Sequence, residues 1–539
     1  MPRQELMMRA SKIATLTALG MIAGPAAAQQ VGSLIQVTQP TPFSACTRDH
    51  VANQVGTNFP NTAIEPSVTV DPKDPAALII GWQQDRWSNG GSRGLYAAFA
   101  TNGRSAFTEV QPGPVSKCEG GAYTRASDPW LDFSASGVAY YMHLTFQNDH
   151  KNGSFGPNAM EVTRSFDGGK SWGDPTALIA DTDPQVLNDK NSLTVDPKIA
   201  PYAYAVWDRL QDFTLPGKGG DPGDTSPTVP GGSAHDGVES ARARLQALRA
   251  APAAATLVFF TGPARFSRTT DFGATWEPSK VIYNPGPNAQ TINNTVVVTP
   301  DGSVLDFFTH ITAQGFVKLN LVRSFDHGRT FGSAILAAND AQDGVGVVTP
   351  DDQAPVRDAA ILSRVAVDPK SGALYLVWQD LRFSGVNEVA FSMSTDGGYN
   401  WSSPVKIDQT PANANPLRTQ AFIPTIEVGP HGELVVTYYD FRNDVSDGKE
   451  STDYWALFCN AAAADCSNPA NWGGETRLTD ASFDMLNAPI ARGHFLGDYM
   501  GLKRAGQAVY PVFGMATGVN MTDVFTRKIT FGGGALAGQ

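Results

Sequence analysis

The chain is short of charge, cysteine and metal-binding motifs. Only 17% of its 539 residues are Asp, Glu, Lys or Arg, and the balance is acidic, with a formal charge of −12. No basic run is present to neutralise phosphates, which argues against a nucleic-acid partner. The eight histidines are scattered, and neither Cys-x-x-Cys nor His-Glu-x-x-His occurs, so no dedicated metal site is expected. Long apolar runs are missing too. The one apolar stretch, IATLTALGMIAG (13–24), is too short to span a bilayer. It follows Arg3, Arg9 and Lys12 and precedes Ala26 and Ala28, the pattern of an export signal over residues 1–28. The mature protein is therefore expected to be secreted or periplasmic, with no transmembrane segment. Its four cysteines fit an oxidising compartment. Cys459 and Cys466 close the loop CNAAAADC and are expected to pair, which leaves Cys46 with Cys118.

What the chain has is repetition. RSFDGGKSW (164–172) returns as SRTTDFGATW (267–276), RSFDHGRTF (323–331) and MSTDGGYNW (393–401), with ATNGRSAF (100–107) as a worn fifth copy. A second phrase recurs seven times, upstream of the first, beginning at 66, 129, 191, 294, 363, 424 and 497. In PSVTVDPKDPAALIIGWQQDR (66–86), for example, two β-rich runs flank a Gly/Pro/Asp turn, a hairpin signature. A third run, the Asp-x-Gly phrase and a weak fourth run complete each unit. Four-stranded antiparallel units repeated radially make an all-β fold, the β-propeller. Seven blades are favoured, with six as the alternative. The seventh hairpin lacks the Asp-x-Gly phrase, and the N-terminal strand is expected to close the ring beside it. The expected division is a signal peptide at 1–28, an N-terminal segment at 29–64, a propeller at 65–532 with an insertion at 211–255, and a flexible tail at 533–539. A phrase needed once per blade is a device of the fold. Gly supplies a backbone angle other residues resist, and Asp accepts backbone N–H groups. Asp167, Asp271, Asp326 and Asp396 are thus not expected to be catalytic.

Propeller geometry puts these turns on one face. The ends of the second strands and the starts of the first strands share the other. Four second strands end in acid plus arginine: Asp85-Arg86, Asp208-Arg209, Asp380-Leu381-Arg382 and Asp440-Phe441-Arg442. First-strand starts add Glu65, Asp128, Asp189, Lys190, Arg364 and Asp498, with Tyr499 next. Trp82, Trp130, Trp207, Trp378 and Tyr439 stand beside them. Carboxylates, arginines and aromatic platforms around one mouth suit a carbohydrate or glycoconjugate. The bland alternative is that each Asp-Arg pair is an ion pair between blades. The insertion GKGGDPGDTSPTVPGGSAHDGVESARARLQALRAAPAAA (217–255) would project over this face as a lid or binding arm, or as an inert elaboration. No cofactor is required. Oxygen-rich NDVSDGKESTD (443–453) and the Asn188-Asp189-Lys190 turn are compatible with calcium, though neither matches an EF-hand loop.

The Asp-x-Gly phrases, at this place in such units, resemble the Asp boxes of the sialidase superfamily and its wider set of secreted BNR-repeat proteins. The resemblance covers nearly all the mature chain and implies fold more strongly than activity. Sialidases have six blades. The resemblance implies an exo-α-sialidase-type glycosidase in which Arg382 and Arg442, at Asp-x-Arg strand ends, hold a substrate carboxylate together with Arg86 and Arg364. Asp380, Asp440 and Asp498 would complete that rim. Asp85, Glu65 or Asp128 would be acid/base, and Tyr499 the nucleophile with Glu427 as its partner. Two departures stand out. Sialidases carry Phe/Tyr-Arg-Ile-Pro at the first strand, where this chain reads Ala63-Ile64-Glu65-Pro66. Their acid/base Asp follows the first second strand, where WSNGGSRG (87–94) has no acid. The competing expectation is a non-catalytic glycan- or protein-binding propeller. Oligomeric state is left open.

Overall fold

The computed structural model describes residues 29–101, 105–148, 155–213, 259–341, 346–358 and 360–531. The expected signal (1–28), the tail (533–539), nearly all of the expected insertion and positions 102–104 of the worn phrase lie outside these residues. Among the described residues the elements are antiparallel strands and short 3₁₀ turns, with no α-helix. Strands form where the second phrase reads as continuous β-branched and aromatic residues. In unit 1, Ala63–Val70 and Leu78–Arg86 pair across the Asp/Pro turn and are buried along their whole length, the polar Glu65, Gln83, Gln84, Asp85 and Arg86 included.

Among the described residues, seven four-stranded groups follow one another. Units 1 to 6 begin at the strands Ala63–Val70, Arg125–Phe133, Val186–Val195, Gln290–Val298, Arg364–Val367 and Ala421–Val428. Units 1 and 2 share a single bridging pair, Ser92 with Ala126. Unit 7 is composite. Gly501–Ala505, Ala508–Gly518 and Met521–Thr526 supply three strands, and Ile35–Gln36 fills the fourth place against Met521–Thr526, with Ile35 opposite Thr526. Each first strand packs on the first strand of the next unit, and Gly501–Ala505 returns to Ala63–Val70. Apolar clusters fill the gaps between neighbouring units. Ile79, Leu95 and Tyr141 lie between units 1 and 2, Met142, Leu193 and Trp207 between 2 and 3, and Trp82, Val68 and Tyr510 between 7 and 1. This order is consistent with a β-propeller.

The repeated turns act as fastenings. In RSFDGGKSW, Asp167 Oδ1 accepts from Ser165 Oγ (2.8 Å) and from the N–H groups of Lys170 and Ser171 (both 3.0 Å), while Ser165 Oγ accepts from Gly169 N–H (2.9 Å). Asp271, Asp326 and Asp396 likewise accept from the hydroxyl two residues before and from the N–H four residues on. Glycine is required for two reasons at Gly398. Its φ is +90°, and a Cβ there would stand 3.1–3.2 Å from Leu321 and Leu374. Asp167 and Asp396 are exposed, Asp271 and Asp326 half-buried, and turn N–H groups hold Asp396 down to about 2. These bonds are local and point away from the opposite end of the strands.

One expectation about aromatics is corrected here. Trp82, Trp207, Trp378 and Tyr439 are fully buried between sheets and line no mouth. Their polar atoms are satisfied inside: Trp378 Nε1 donates to Asp380 Oδ2 (2.7 Å) and Trp207 Nε1 to Asn188 Oδ1 (3.0 Å). A buried indole is stable once its N–H has a partner. The disulfides are Cys459–Cys466 and Cys46–Cys118, as expected, and no described cysteine is free.

Candidate functional site

The inner strands share a kink. In units 1, 2, 3, 4 and 6 the pairing slips near the start of the first strand, and one residue at each slip is left-handed: Glu65 (φ 52°), Asp128 (55°), Lys190 (47°), Asn293 (64°) and Ile423 (53°). A β-bulge re-aims a side chain, and a non-glycine residue with positive φ stores strain that its surroundings must hold. Tyr499 in unit 7 stands at the same place, two residues before the pair Gly501–Val512. The bulges thus bring polar groups from units 7, 1, 2, 3 and 4 to the inner end of the sheets, whereas Ile423 joins the apolar core.

Lys190 is the hub. Its Nζ lies 2.7 Å from Asp498 Oδ2, 3.4 Å from Asp128 Oδ2 and 3.8 Å from Glu65 Oε1, all buried. Arg357 clamps Asp498 from the other side, with Nε 2.9 Å from Oδ1 and Nη2 2.5 Å from Oδ2. Glu65 Oε1 accepts the Asp498 N–H at 3.0 Å, and its Oε2 accepts from Gln83. Phe495 lies against both Arg357 (4.1 Å) and Arg86 (4.9 Å). Asp189 and Asp208 are direct cross-strand partners, an arrangement that disfavours two charges.

The electrostatics follow from burial. Desolvation pushes Glu65 up to about 7 against the pull of Lys190. It pushes Asp189 up to about 7, helped by Asp128, and Asp208 well above the usual carboxylate range. Burial opposes the charge on Lys190, yet Asp128, Asp498 and Glu65 hold its pKa above the ordinary value. Burial would raise Asp498 as well, but Arg357 and Lys190 keep it well below the usual range.

Beside this network Arg364 stacks on Tyr499 (4.8 Å) and Trp130 (5.4 Å), whose rings meet edge-on at 5.9 Å. Tyr499 Oη, Arg364 Nη2 and Asn191 Oδ1 are buried and find no hydrogen-bond partner among the described residues. These residues line a pocket with Asp128, Lys190 and Asn293. It is tight, at ≈ 10 Å³, the room of about one water. Burial, then Asp128 and Glu65, push the Tyr499 phenol well above its ordinary pKa, so it is neutral as it stands. Burial lowers Arg364 only to about 10, so it keeps its charge near neutral pH.

The remaining expected residues lie elsewhere. Arg382 grips its own Asp380, with Nε–Oδ1 at 2.8 Å and Nη2–Oδ2 at 2.7 Å. Arg442 pairs with Asp440 and Glu475 and stacks 3.8 Å over Trp455. Arg209 turns from Asp208 to Asp181 (2.9 Å). Asp85 accepts from Thr41 Oγ1 (2.7 Å) and Asn61 N–H (2.9 Å), which fastens the N-terminal segment rather than facing the pocket. Glu427 is apart from Tyr499; the cations beside it are Lys503 and Arg504. The oxygens of 443–453 are taken up by protein donors: Asp444 by Arg418 and Ser451, Asp453 by Arg477, Thr479 and Asn443. Arg357 comes from a connecting loop with no repeat signal. Lys190 was legible as one of the first-strand starts, but not as the cation that joins the acids, in the buried run VLNDKNSLTV.

The class defined by these observations is an all-β chain of repeated antiparallel sheets with a charged pocket at its inner strands. No family profile matches the chain. It is 26% identical over 314 residues to a sialidase of Micromonospora viridifaciens, covering 57% of this chain and 40% of that protein. The match thus spans under half the length of that relative. Among solved structures, a leech intramolecular trans-sialidase overlaps 94% of this chain and 99% of its own, at 11% identity and a TM-score of 0.45. A Hadza microbial sialidase overlaps 84% and 76%, at 15% identity and 0.42. A Dyadobacter fermentans protein of unknown function overlaps 89% and 97%, at 12% identity and 0.42. In sequence the chain is thus similar to a sialidase over those 314 residues.

Proposed function

We propose that the protein is a secreted, seven-bladed, sialidase-like propeller that hydrolyses glycosides of anionic sugars at the central pocket. The observation that carries this reading is Arg364: a charged guanidinium with an uncommitted Nη2, seated on Tyr499 and Trp130 beside buried acids. A planar fork of this kind reads a carboxylate well. Glu65, pushed up to about 7, and Asp128 serve as acid/base, and Tyr499 is the nucleophile once the Asp128 carboxylate accepts its proton. Asp498, Arg357, Lys190 and Arg86 position Glu65. Asp85, Asp380, Arg382, Asp440 and Arg442 hold the fold, and Glu427 has no part in the chemistry. No metal is required. The pocket must widen to admit a sugar, since its present room is far below the roughly 300–1,000 Å³ of ligand pockets.

A second reading is a non-catalytic binder of anionic glycans. It is favoured by the neutral Tyr499 phenol, which no carboxylate reaches with a hydrogen bond. A panel of fluorogenic glycosides, α-sialosides included, with and without calcium, separates the two. Hydrolysis that disappears in both Arg364→Ala and Tyr499→Phe is expected. A flat panel from folded protein overturns catalysis, and retained sialoside binding would then favour the second reading.

A further inference from the structure

The opposite end of the sheets carries a second cavity. The repeated turn of unit 5 (393–401) meets the loop that unit 6 has in place of such a turn, the loop stapled by Cys459–Cys466. Between them lies a groove of ≈ 330 Å³. Its floor is the half-buried Trp401 with Met393, and its edges are Thr395, Asn400, Asp465 and Ser467. Both walls are fixed. Trp401 Nε1 donates to Gly398 O (3.0 Å), and its ring meets Phe307 edge-on at 6.0 Å. The far wall is held by the disulfide and by bonds from Ser467 N–H (2.9 Å) and Oγ (2.7 Å) to Asp465 Oδ1.

The chemistry of the groove differs from that of the central pocket. Asp396 is committed to its own turn, accepting from Ser394, Tyr399, Asn400 N–H and the Asn400 side chain. Asp465 Oδ2 and the Thr395 hydroxyl take no bond from the described residues. The groove therefore offers an aromatic face, one free carboxylate oxygen and a hydroxyl, with no cation among its lining residues. The Asp465 carboxylate, with Asp396 also in the lining and no cation to offset them, repels an anionic sugar. One free acid is too few to desolvate an ammonium ion. An aromatic face beside acceptors matches a pyranose, whose C–H face is apolar and whose edge is a row of O–H donors.

We propose that this groove is a second carbohydrate site, for a neutral pyranose of a glycan chain, separate from the central pocket. Its size falls within the range of small-ligand pockets, and its stapled wall reduces the ordering cost of binding. The site does not depend on what the central pocket does.

The test is titration of the full mature protein, disulfides intact, with lactose, cellobiose and maltose, followed by tryptophan fluorescence and by ligand-detected NMR. Binding of at least one disaccharide is expected. It should weaken about tenfold in Asp465→Ala, a change of about 1.4 kcal/mol, and be unchanged in Arg364→Ala. Asp465→Ala is on an exposed loop, so it tests the groove without removing the packed Trp401. Binding of none of the three sugars, binding indifferent to Asp465→Ala, or binding lost in Arg364→Ala would each overturn the proposal.

Discussion

Two sets of arginines face carboxylates in this molecule, and they behave differently. At the outer set, Arg382 and Arg442 each close on the Asp two residues earlier, and Arg382 reaches beyond its own unit only to the Asn339 carbonyl at the end of the preceding one. At the inner set, Arg357, Arg86, Arg364 and Lys190 come from different units and crowd around Asp498, Glu65 and Tyr499. The same residue types thus serve as local rivets in one place and as a shared network in the other. The distance that decides it is along the sequence: Arg382 and Asp380 are neighbours, whereas Lys190 and Asp498 are 308 residues apart. A local pair can be satisfied by one strand end alone, but the central network exists only when the whole set of sheets is assembled.

The comparison can be broken most sharply at Lys190. Lys190→Met should leave Asp498, Glu65 and Asp128 short of a buried cation and cost about 3–5 kcal/mol, read as a lower denaturant midpoint at unchanged m-value. Arg442→Ala should cost less, about 2–3 kcal/mol, because it frees the buried Asp440, which burial already raises to about 6 despite Arg442. Arg382 is more exposed, and Arg382→Ala should cost about 1 kcal/mol or less. Neither rim variant should change ligand affinity, whereas Arg364→Ala should weaken sialoside binding by at least about tenfold with little loss of stability. If the rim variants abolish binding and Arg364→Ala does not, the assignment of the two sets is reversed.

The smallest effect is on pH dependence. Glu65 and Asp189 have pKa values raised to about 7 in the folded protein. A raised acid binds its proton more tightly folded than unfolded, so its contribution is full below about pH 4 and fades as pH rises through about 7. Asp396 runs the other way. Its depressed value of about 2 gives stability that is present above about pH 4 and lost as pH falls. Melting temperature should therefore drift down between pH 5 and 8, and Glu65→Gln should flatten that drift. An unchanged slope in Glu65→Gln would remove Glu65 from the titration.

The repeat was legible because its residues are local. Ser165, Asp167 and Gly169 are bound to one another within five positions, so the phrase alone specifies the turn. The hairpins were legible for the same reason, and so was the Cys459–Cys466 loop. The central site was legible only in part. Glu65, Asp128, Arg364, Asp498 and Tyr499 share a sequence position in their units, the start of the first strand, and the fold brings them together. Arg382 and Arg442 looked the same by composition but stand at the other kind of place. For Glu65 and Asp128 what separates the two is the β-bulge, which depends on cross-strand register and leaves no local mark. Arg357 and Glu427 show the limit from both sides. One is a loop residue with no signal that reaches the network, and the other is a first-strand residue that the resemblance paired with Tyr499 but whose neighbouring cations are Lys503 and Arg504.

The strand Ile35–Gln36 in the last unit carries a consequence for the order of folding. Its partner Thr526 is synthesised nearly five hundred residues later. During synthesis the early sheets can form in sequence, but unit 1 must wait with one flank bare until the far end of the chain arrives. That bare flank includes Val68, Trp82 and Ala98, an apolar surface exposed for most of the time the ribosome takes to finish. Such long-range pairing is slow and prone to aggregation, so unit 1 has a defined window of exposure, from the completion of its last strand at Val110 to the arrival of Thr526.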